Sequence, residues 1–394
     1  MEINTSENNK NEKIKTISRW DDFELDDNIL RGIYSYGFEK PSQIQQTAIL
    51  PIIEKKDVIA QAPSGTGKTG AFTISSLQRI DLSSNTTQIL ILAPTHELVK
   101  QIYGVISSIG TMMEGLKVKL LVGGTSVSDD AIELRKHVPH VIVGSVGRVS
   151  DMIRRRTIQT QDIKLFVLDE ADEMLSGGFL DNIRQIFVTF DHNVQTAIFS
   201  ATLPNEILDL TNRFMKSPVR ITMEPEKLNL EGIQQFYVAL NNDDDKFATL
   251  MDLFSKLTIN QTIVYANSVN RVMDLYNAMK KEGCAVCCIH SNMTTHERQT
   301  SLLAFRSGEY RVLISSNVTA RGIDVQQVSF VINFDIPRCV NNYLHRIGRS
   351  GRWGRKGMAI NFVTREDIST MKHIEKHYNS NIAELPATFD KIIA

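Results

Sequence analysis

Short apolar runs recur along the chain, separated by helix-length segments of mixed polarity. In the first half they fall at residues 59–62, 88–94, 117–122, 140–144, 164–168 and 195–200. Runs without strict polar alternation suit strands buried on both faces, and their spacing predicts βαβ units: a parallel sheet flanked by helices. The rhythm pauses at Met223-Glu224-Pro225-Glu226-Lys227, a polar stretch containing proline, and resumes at Gln234. A second series follows at residues 261–266, 285–290, 311–316, 328–335 and 357–363. The pattern predicts two similar α/β domains, 18–222 and 233–394, with a linker at 223–232. Residues 1–17, rich in Asn, Glu, Lys and Thr with few apolar groups, read as a disordered polar tail.

Composition sharpens this picture. A chain of 394 residues, 42% hydrophobic and 23% charged, is long enough for two separate cores. No apolar run reaches the roughly 18 residues of a membrane helix, and the polar opening Met1-Glu2-Ile3-Asn4-Thr5 does not read as a signal peptide. A location on the cytosolic or nuclear side, without membrane association, is expected. Four cysteines, three of them at Cys284, Cys287 and Cys288, do not make a disulfide framework. Cys284-x-x-Cys287 lacks a second ligand pair for zinc, so these thiols are expected to be buried. The net charge of −1 argues against a tight nonspecific clamp on nucleic acid, but leaves room for a local basic track.

Two segments carry the chemistry. Ala62-Pro63-Ser64-Gly65-Thr66-Gly67-Lys68-Thr69 follows a strand-like stretch and precedes a helix. Glycines there let backbone N–H groups approach anionic oxygens, and the helix adds its positive end. Lys68 is placed to reach β- and γ-phosphates and Thr69 to reach Mg²⁺, although the strict phosphate-loop pattern has Gly where this chain has Ala62. About a hundred residues later, Asp169-Glu170-Ala171-Asp172 follows the apolar run Leu165-Phe166-Val167-Leu168. A strand delivering two carboxylates to a sheet edge gives Asp169 to Mg²⁺ through water and Glu170 to the attacking water. This pairing predicts an NTPase.

With these motifs in order, the chain resembles the DEAD-box RNA helicases of superfamily 2, from Trp20 to about Leu385. Asp172-Glu173-Met174-Leu175, Leu228-Asn229-Leu230-Glu231-Gly232-Ile233 and Gly354-Arg355-Lys356-Gly357 resemble the initiation factor 4A subfamily, which includes exon-junction and ribosomal-RNA-processing paralogues. The resemblance implies two tandem RecA-like domains and an RNA-stimulated ATPase using ATP and Mg²⁺. It assigns Gln45 to the adenine edge, Trp20 to the vicinity of the base, Ser64 to Thr69 to the phosphates and Asp324 to the ribose. Arg349 and Arg352, in His345-Arg346-Ile347-Gly348-Arg349-Ser350-Gly351-Arg352, become arginine fingers, on neighbouring faces if helical. Ser200 and Thr202 couple hydrolysis to movement by bonding Asp172 or His345. RNA falls to Thr95, His96, Gly123, Gly124, Arg148, Ser316 and Arg321.

Partners implied are single-stranded RNA, bound without regard to sequence, and a scaffold protein that positions both domains, around a monomer. Translation initiation in the cytoplasm is the expected setting, with a nuclear paralogue's role or an ATP-gated clamp as alternatives. Further alternatives are a small-molecule kinase, which lacks the arginine-rich second domain, and a DNA helicase, which DNA also stimulates. The RNA-facing motifs depart from the family. Pro94-Thr95-His96-Glu97-Leu98 replaces a permanent cation with a group of unperturbed pKa about 6.5. Ser145-Val146-Gly147-Arg148 loses a proline, Val269 and Asn270 stand at basic positions, Thr295 replaces Gln, and Ser315-Ser316-Asn317 stands where Ser-Thr-Asp is usual. A working helicase with a weaker, salt-sensitive grip is the resulting expectation.

Overall fold

The computed structural model describes residues 16–62, 65–191, 194–223, 233–256, 261–317, 328–350 and 357–386. The tail expected at 1–17, apart from residues 16 and 17, and the linker expected at 223–232, apart from Met223, lie outside the described residues. The chain divides into two compact units, residues 1–224 and 225–394.

The first unit contains β1 (Val58–Gln61), β2 (Ile89–Ala93), β3 (Val118–Leu121), β4 (Val141–Ser145), β5 (Leu165–Asp169), β6 (Gln195–Ser200) and β7 (Val219–Thr222). They form a parallel sheet in the order β3-β4-β2-β5-β6-β1-β7. The second unit contains β8 (Ile233–Ala239), β9 (Thr262–Tyr265), β10 (Val286–Ile289), β11 (Val312–Ser315), β12 (Phe330–Asn333), β13 (Gly357–Val363) and β14 (Ala383–Glu384). Its order is β10-β11-β9-β12-β13-β8-β14, the same permutation as in the first unit. These are two tandem RecA-like domains, each a parallel sheet flanked by helices.

The apolar runs explain why the strands sit centrally. Successive residues of one strand feed opposite cores: Ile89 and Ile91 of β2 join one cluster with Phe72 and Ile102, whereas Leu90 and Leu92 join another with Met152 and Ile186. Phe166 and Val167 of β5 divide in the same way. A strand with no polar face requires cover on both sides, which the helices provide. In the second unit Val264 and Ile314 face one cluster while Ile263 and Leu313 face another. Each fully buried aliphatic or aromatic side chain contributes about 1.5–3 kcal/mol relative to exposure, so the central strands are the most strongly specified part of the fold.

Three strands arise without a long apolar run. β7 and β14 lie at sheet edges with most of their residues exposed or half-buried, and β8, beside β14, is buried only in part. Among the described residues, no helix is long and apolar enough to cross a membrane. Cys287 and Cys288 are buried as expected, Cys284 is half-buried and Cys339 is exposed, and all four thiols are free.

Candidate functional site

The carboxyl edge of the first sheet collects most of the chemically distinctive residues, as open α/β folds dictate. Adjacent strands β5, β6 and β1 lead to the phosphate loop and the acidic residues, while β2, β4 and β3 lead to Thr95, Arg148 and Gly123. Because β2 pairs with β5, the two groups are continuous along one edge.

In the phosphate loop, Gly67 has φ 99°, and a Cβ there would lie 2.9 Å from Gln45 Nε2. Both facts require glycine. Lys68 opens the helix Lys68–Gln78, and its buried Nζ donates to Ala62 O at 2.9 Å and to Glu170 Oε1 at 3.4 Å. The loop cation is thus tied directly to the acidic strand end. Thr69 follows in the same helical turn, Gly65 and Thr66 lie in the loop, and Ser64 lies outside the described residues.

Asp169 ends β5 with 2% exposure, and burial, reinforced by Glu170, pushes its carboxyl up to about 7 while Lys68 pulls it back. Glu170 has φ 52°, the left-handed region, at a strain of roughly 1–2 kcal/mol for a residue with a Cβ. That turn ends the strand and starts the helix Ala171–Ser176. A crowded, desolvated carboxylate is relieved by a cation, and Asp169 with the Thr69 hydroxyl offers the hard oxygens Mg²⁺ prefers. Among the described residues no group of three or more His, Cys, Asp or Glu is arranged to hold a metal.

The base-side residues are only partly as expected. Gln45 Oε1 accepts from Ser42 N at 2.7 Å and Nε2 donates to Gly67 O at 3.1 Å, locking its helix to the phosphate loop. One lone pair and one N–H remain for a ligand. Trp20, with 1% exposure, is buried behind Phe38: its Nε1 donates to Phe38 O at 3.0 Å and its ring stacks on Phe38 at 6.2 Å. Phe38, which sequence reasoning missed, is the half-buried ring beside Gly70, where an added Cβ would meet it at 3.0 Å. Its signal was its place in Gly37-Phe38-Glu39-Lys40-Pro41, seven residues before Gln45.

The Ser-Ala-Thr segment resolves onto Asp172. Ser200 Oγ accepts from Asp172 N at 3.2 Å and Thr202 Oγ1 donates to Asp172 Oδ2 at 2.8 Å. His345 is buried within the second unit.

On the other half of the edge, Thr95 caps the helix His96–Ile109 through Leu98 N at 3.2 Å. The His96 ring lies against Gly123, where an added Cβ would sit 3.1 Å from Nε2, and Gly124 has φ 83°. Arg148 departs from the expectation of a phosphate ligand. At 8% exposure it points inward, Nη1 bonding the Asp130 carboxylate and Thr125 Oγ1 (2.7 Å), and Nη2 bonding Thr125 O (2.7 Å).

In the second unit, Ser316 is buried, and its Oγ has no hydrogen-bond partner among the described residues. Arg321, Asp324 and Arg352 lie outside the described residues. Arg349 is buried, but the helix Val340–Ile347 stops before it, with Gly348 N bonding Leu344 O at 2.9 Å. Arg349 N bonds Arg346 O at 3.2 Å just past the helix end, and its spacing to Arg352 falls outside the described residues.

Sequence reasoning also passed over Arg346. Fully buried, it spans Asn317 Oδ1 (2.6 and 2.8 Å), Asn267 Oδ1 (2.8 Å), Asn333 Oδ1 (3.1 Å) and Asp335 O (2.8 Å), over the Tyr265 ring. Its side-chain acceptors are amides, and burial pulls its pKa down to about 10. The Asp335 carboxylate instead takes Lys246 (3.1 Å) and Arg271 (2.7 Å).

The chain matches the DEAD/DEAH box helicase family over residues 42–210 and the helicase conserved C-terminal domain over 245–354. It belongs to the DEAD/DEAH box helicases. It is 49% identical to the ATP-dependent RNA helicase eIF4A of Saccharomyces cerevisiae (strain YJM789), over 95% of this chain and 94% of that protein. Identity to eukaryotic initiation factor 4A of Caenorhabditis elegans is 50%, covering 96% and 94%. The structure of S. cerevisiae Dbp5 bound to RNA and ADP-BeF3 is similar at TM-score 0.86 and 34% identity, covering 96% of this chain and 99% of that one.

Two outcomes are expected. Phe38→Ala raises the KM for ATP by about tenfold, the worth of an aromatic stacking contact, and lowers the melting temperature because Trp20 loses the ring stacked on it, whereas Phe38→Tyr keeps both. Asn317→Asp gives the buried Arg346 guanidinium an anionic partner and stabilises the second unit by about 1–2 kcal/mol, measured by denaturant unfolding; an unchanged or lowered midpoint contradicts that account.

Proposed function

We propose that this protein is an ATP-dependent RNA helicase that binds single-stranded RNA and locally opens short duplexes in translation initiation. The observation that carries this reading is the shared edge: the ATP-side carboxylates end β5, and the RNA-side Thr95 and His96 follow β2, its hydrogen-bonded neighbour. An event at one half is then felt at the other through a sheet that deforms little.

ATP phosphates take the loop N–H groups and Lys68, which exchanges part of its bonding to Ala62 and Glu170 for phosphate oxygens. Gln45 reads the adenine edge, with an amide pattern that guanine does not satisfy, beside Phe38 backed by Trp20. Mg²⁺, when bound with the nucleotide, neutralises phosphate charge, and Asp169 and Thr69 are the residues suited to hold it. Glu170, freed from Lys68, orients and polarises the attacking water. Family resemblance assigns Asp324 to the ribose and Arg349 and Arg352 to charge developing on the transferred phosphoryl group, so turnover requires both units. Asp172, fixed by Ser200 and Thr202, links the acidic strand end to the segment after β6.

RNA is held through phosphate and 2′-OH contacts, which are blind to sequence and select RNA over DNA. Backbone N–H groups around Gly123 and Gly124, with Thr95, His96, Ser316 and Arg321, form this track. The protein acts as a monomer in the cytoplasm, and a scaffold protein positions its two units. The nuclear roles of related paralogues are the second reading, favoured by Asp151-Met152-Ile153-Arg154-Arg155-Arg156 and Ala201-Thr202-Leu203-Pro204.

ATPase rates measured with no polymer, single-stranded RNA and single-stranded DNA test this reading. RNA alone is expected to stimulate turnover, Lys68→Ala to abolish it, and Glu170→Gln to lower it at least a hundredfold while keeping ATP-dependent RNA binding. No stimulation by RNA at low salt sinks the helicase reading; RNA binding without stimulated turnover marks an ATP-gated clamp instead.

A further inference from the structure

The loop after β3 leads into the helix Val127–Lys136, whose Ser126 cap accepts from Asp129 N at 3.3 Å. Asp130, in the first turn of that helix, is buried, and three groups converge on it. Arg148 Nη1 bonds its Oδ2, Thr125 Oγ1 lies 2.9 Å from the same oxygen, and Lys119 Nζ from β3 stands 3.4 Å from Oδ1. Arg148 then spans Asp130 and the Thr125 carbonyl, so the peptide plane after Thr125 is held from the side by the helix Val146–Arg154.

From this geometry we propose that Asp130 is a positioning residue for RNA binding: it anchors Arg148, and Arg148 fixes the Gly123–Ser126 loop in its phosphate-binding shape. The proposal rests on the reading of that loop as part of the RNA track. Three observations support it over the alternative, in which Arg148 swings out to a phosphate. The guanidinium is buried against a buried carboxylate, and separating such a pair leaves a desolvated charge. Its donors are spent in two directions, on a carboxylate and on a main-chain oxygen, which fixes orientation as well as charge. Gly124, at φ 83°, gives the loop a bend, and Arg148 bonds the main-chain oxygen of the residue that follows it, Thr125. Sequence bears on this only in retrospect, since Asp129-Asp130 reads as ordinary acidic helix start.

The two accounts differ in their salt dependence. On a single strand, each phosphate neutralised by a side-chain cation adds about 0.7 to the slope of log affinity against log salt, whereas a residue that shapes a loop changes affinity at constant slope. Affinity of the full chain for a single-stranded RNA oligonucleotide is measured with a nonhydrolysable ATP analogue, from low to physiological salt, for the parent, Asp130→Asn, Asp130→Glu and Arg148→Ala. Asp130→Asn and Arg148→Ala are each expected to weaken RNA binding about tenfold with parental slope, and Asp130→Glu, which keeps the ion pair, to recover most of the loss. Melting temperature and nucleotide affinity measured without RNA report whether each variant is folded. Tighter binding by Asp130→Asn with a steeper slope, a shallower slope in Arg148→Ala, or unchanged affinity in folded Asp130→Asn each overturns the proposal. A parent chain that fails to bind RNA at any salt strikes the RNA-track reading itself.

Discussion

The parallel pairing of β2 with β5 is the constraint on which the rest depends. Leu92 stands opposite Leu168, so β2 and β5 reach the carboxyl edge together, one leading to Thr95 and His96 and the other to Asp169 and Glu170. A slip of one residue would turn Asp169 toward the opposite face and bury Phe166 and Val167 in the wrong cores, because side chains alternate with period two. The register is held by hydrophobic burial on both faces rather than by any polar contact at the edge. Packing therefore sets the geometry on which the edge chemistry relies.

Within its two units the protein holds three cations in three different ways. Lys68 sits between a backbone carbonyl and Glu170, a weak arrangement that a phosphate can replace. Arg148 sits in a tight, buried ion pair with Asp130, which resists replacement. In the second unit Arg346, within the helix Val340–Ile347, is held by three asparagines and a carbonyl, and among the described residues no carboxylate bonds it. The first arrangement suits a ligand-binding group, and the other two suit groups that shape what lies near them.

The central strands were legible because continuous apolar runs have few other solutions, and the phosphate loop and Asp169-Glu170 were legible because their spacing is tied to a strand end. What escaped notice depends on side-chain direction. Arg148 and Arg349 look alike in sequence, but one is turned into a loop and the other follows a helix end set by Gly348. Trp20 and Phe38 are both aromatic, and only packing decides that the larger ring is buried and the smaller one half-buried beside Gly70. Edge strands such as β7 and β14 carry too little apolar pattern to stand out from loop.

The net charge of −1 becomes intelligible on this basis. A protein that gripped RNA mainly with arginine and lysine side chains would need a surplus of them on one face. Here Arg148 is neutralised inside the fold by Asp130, and Lys119 is shared between Asp130 and Glu133. Among the described residues of the first unit, that edge also presents dipoles: glycine-rich backbone at Gly123-Gly124 and the starts of helices at His96 and Val127. Dipoles act over short distances, so such a track holds a phosphate only when the loop has the right shape. On the proposed reading of this edge as the RNA track, a grip built this way is weak at long range, indifferent to base sequence, and easily altered by anything that moves the loop.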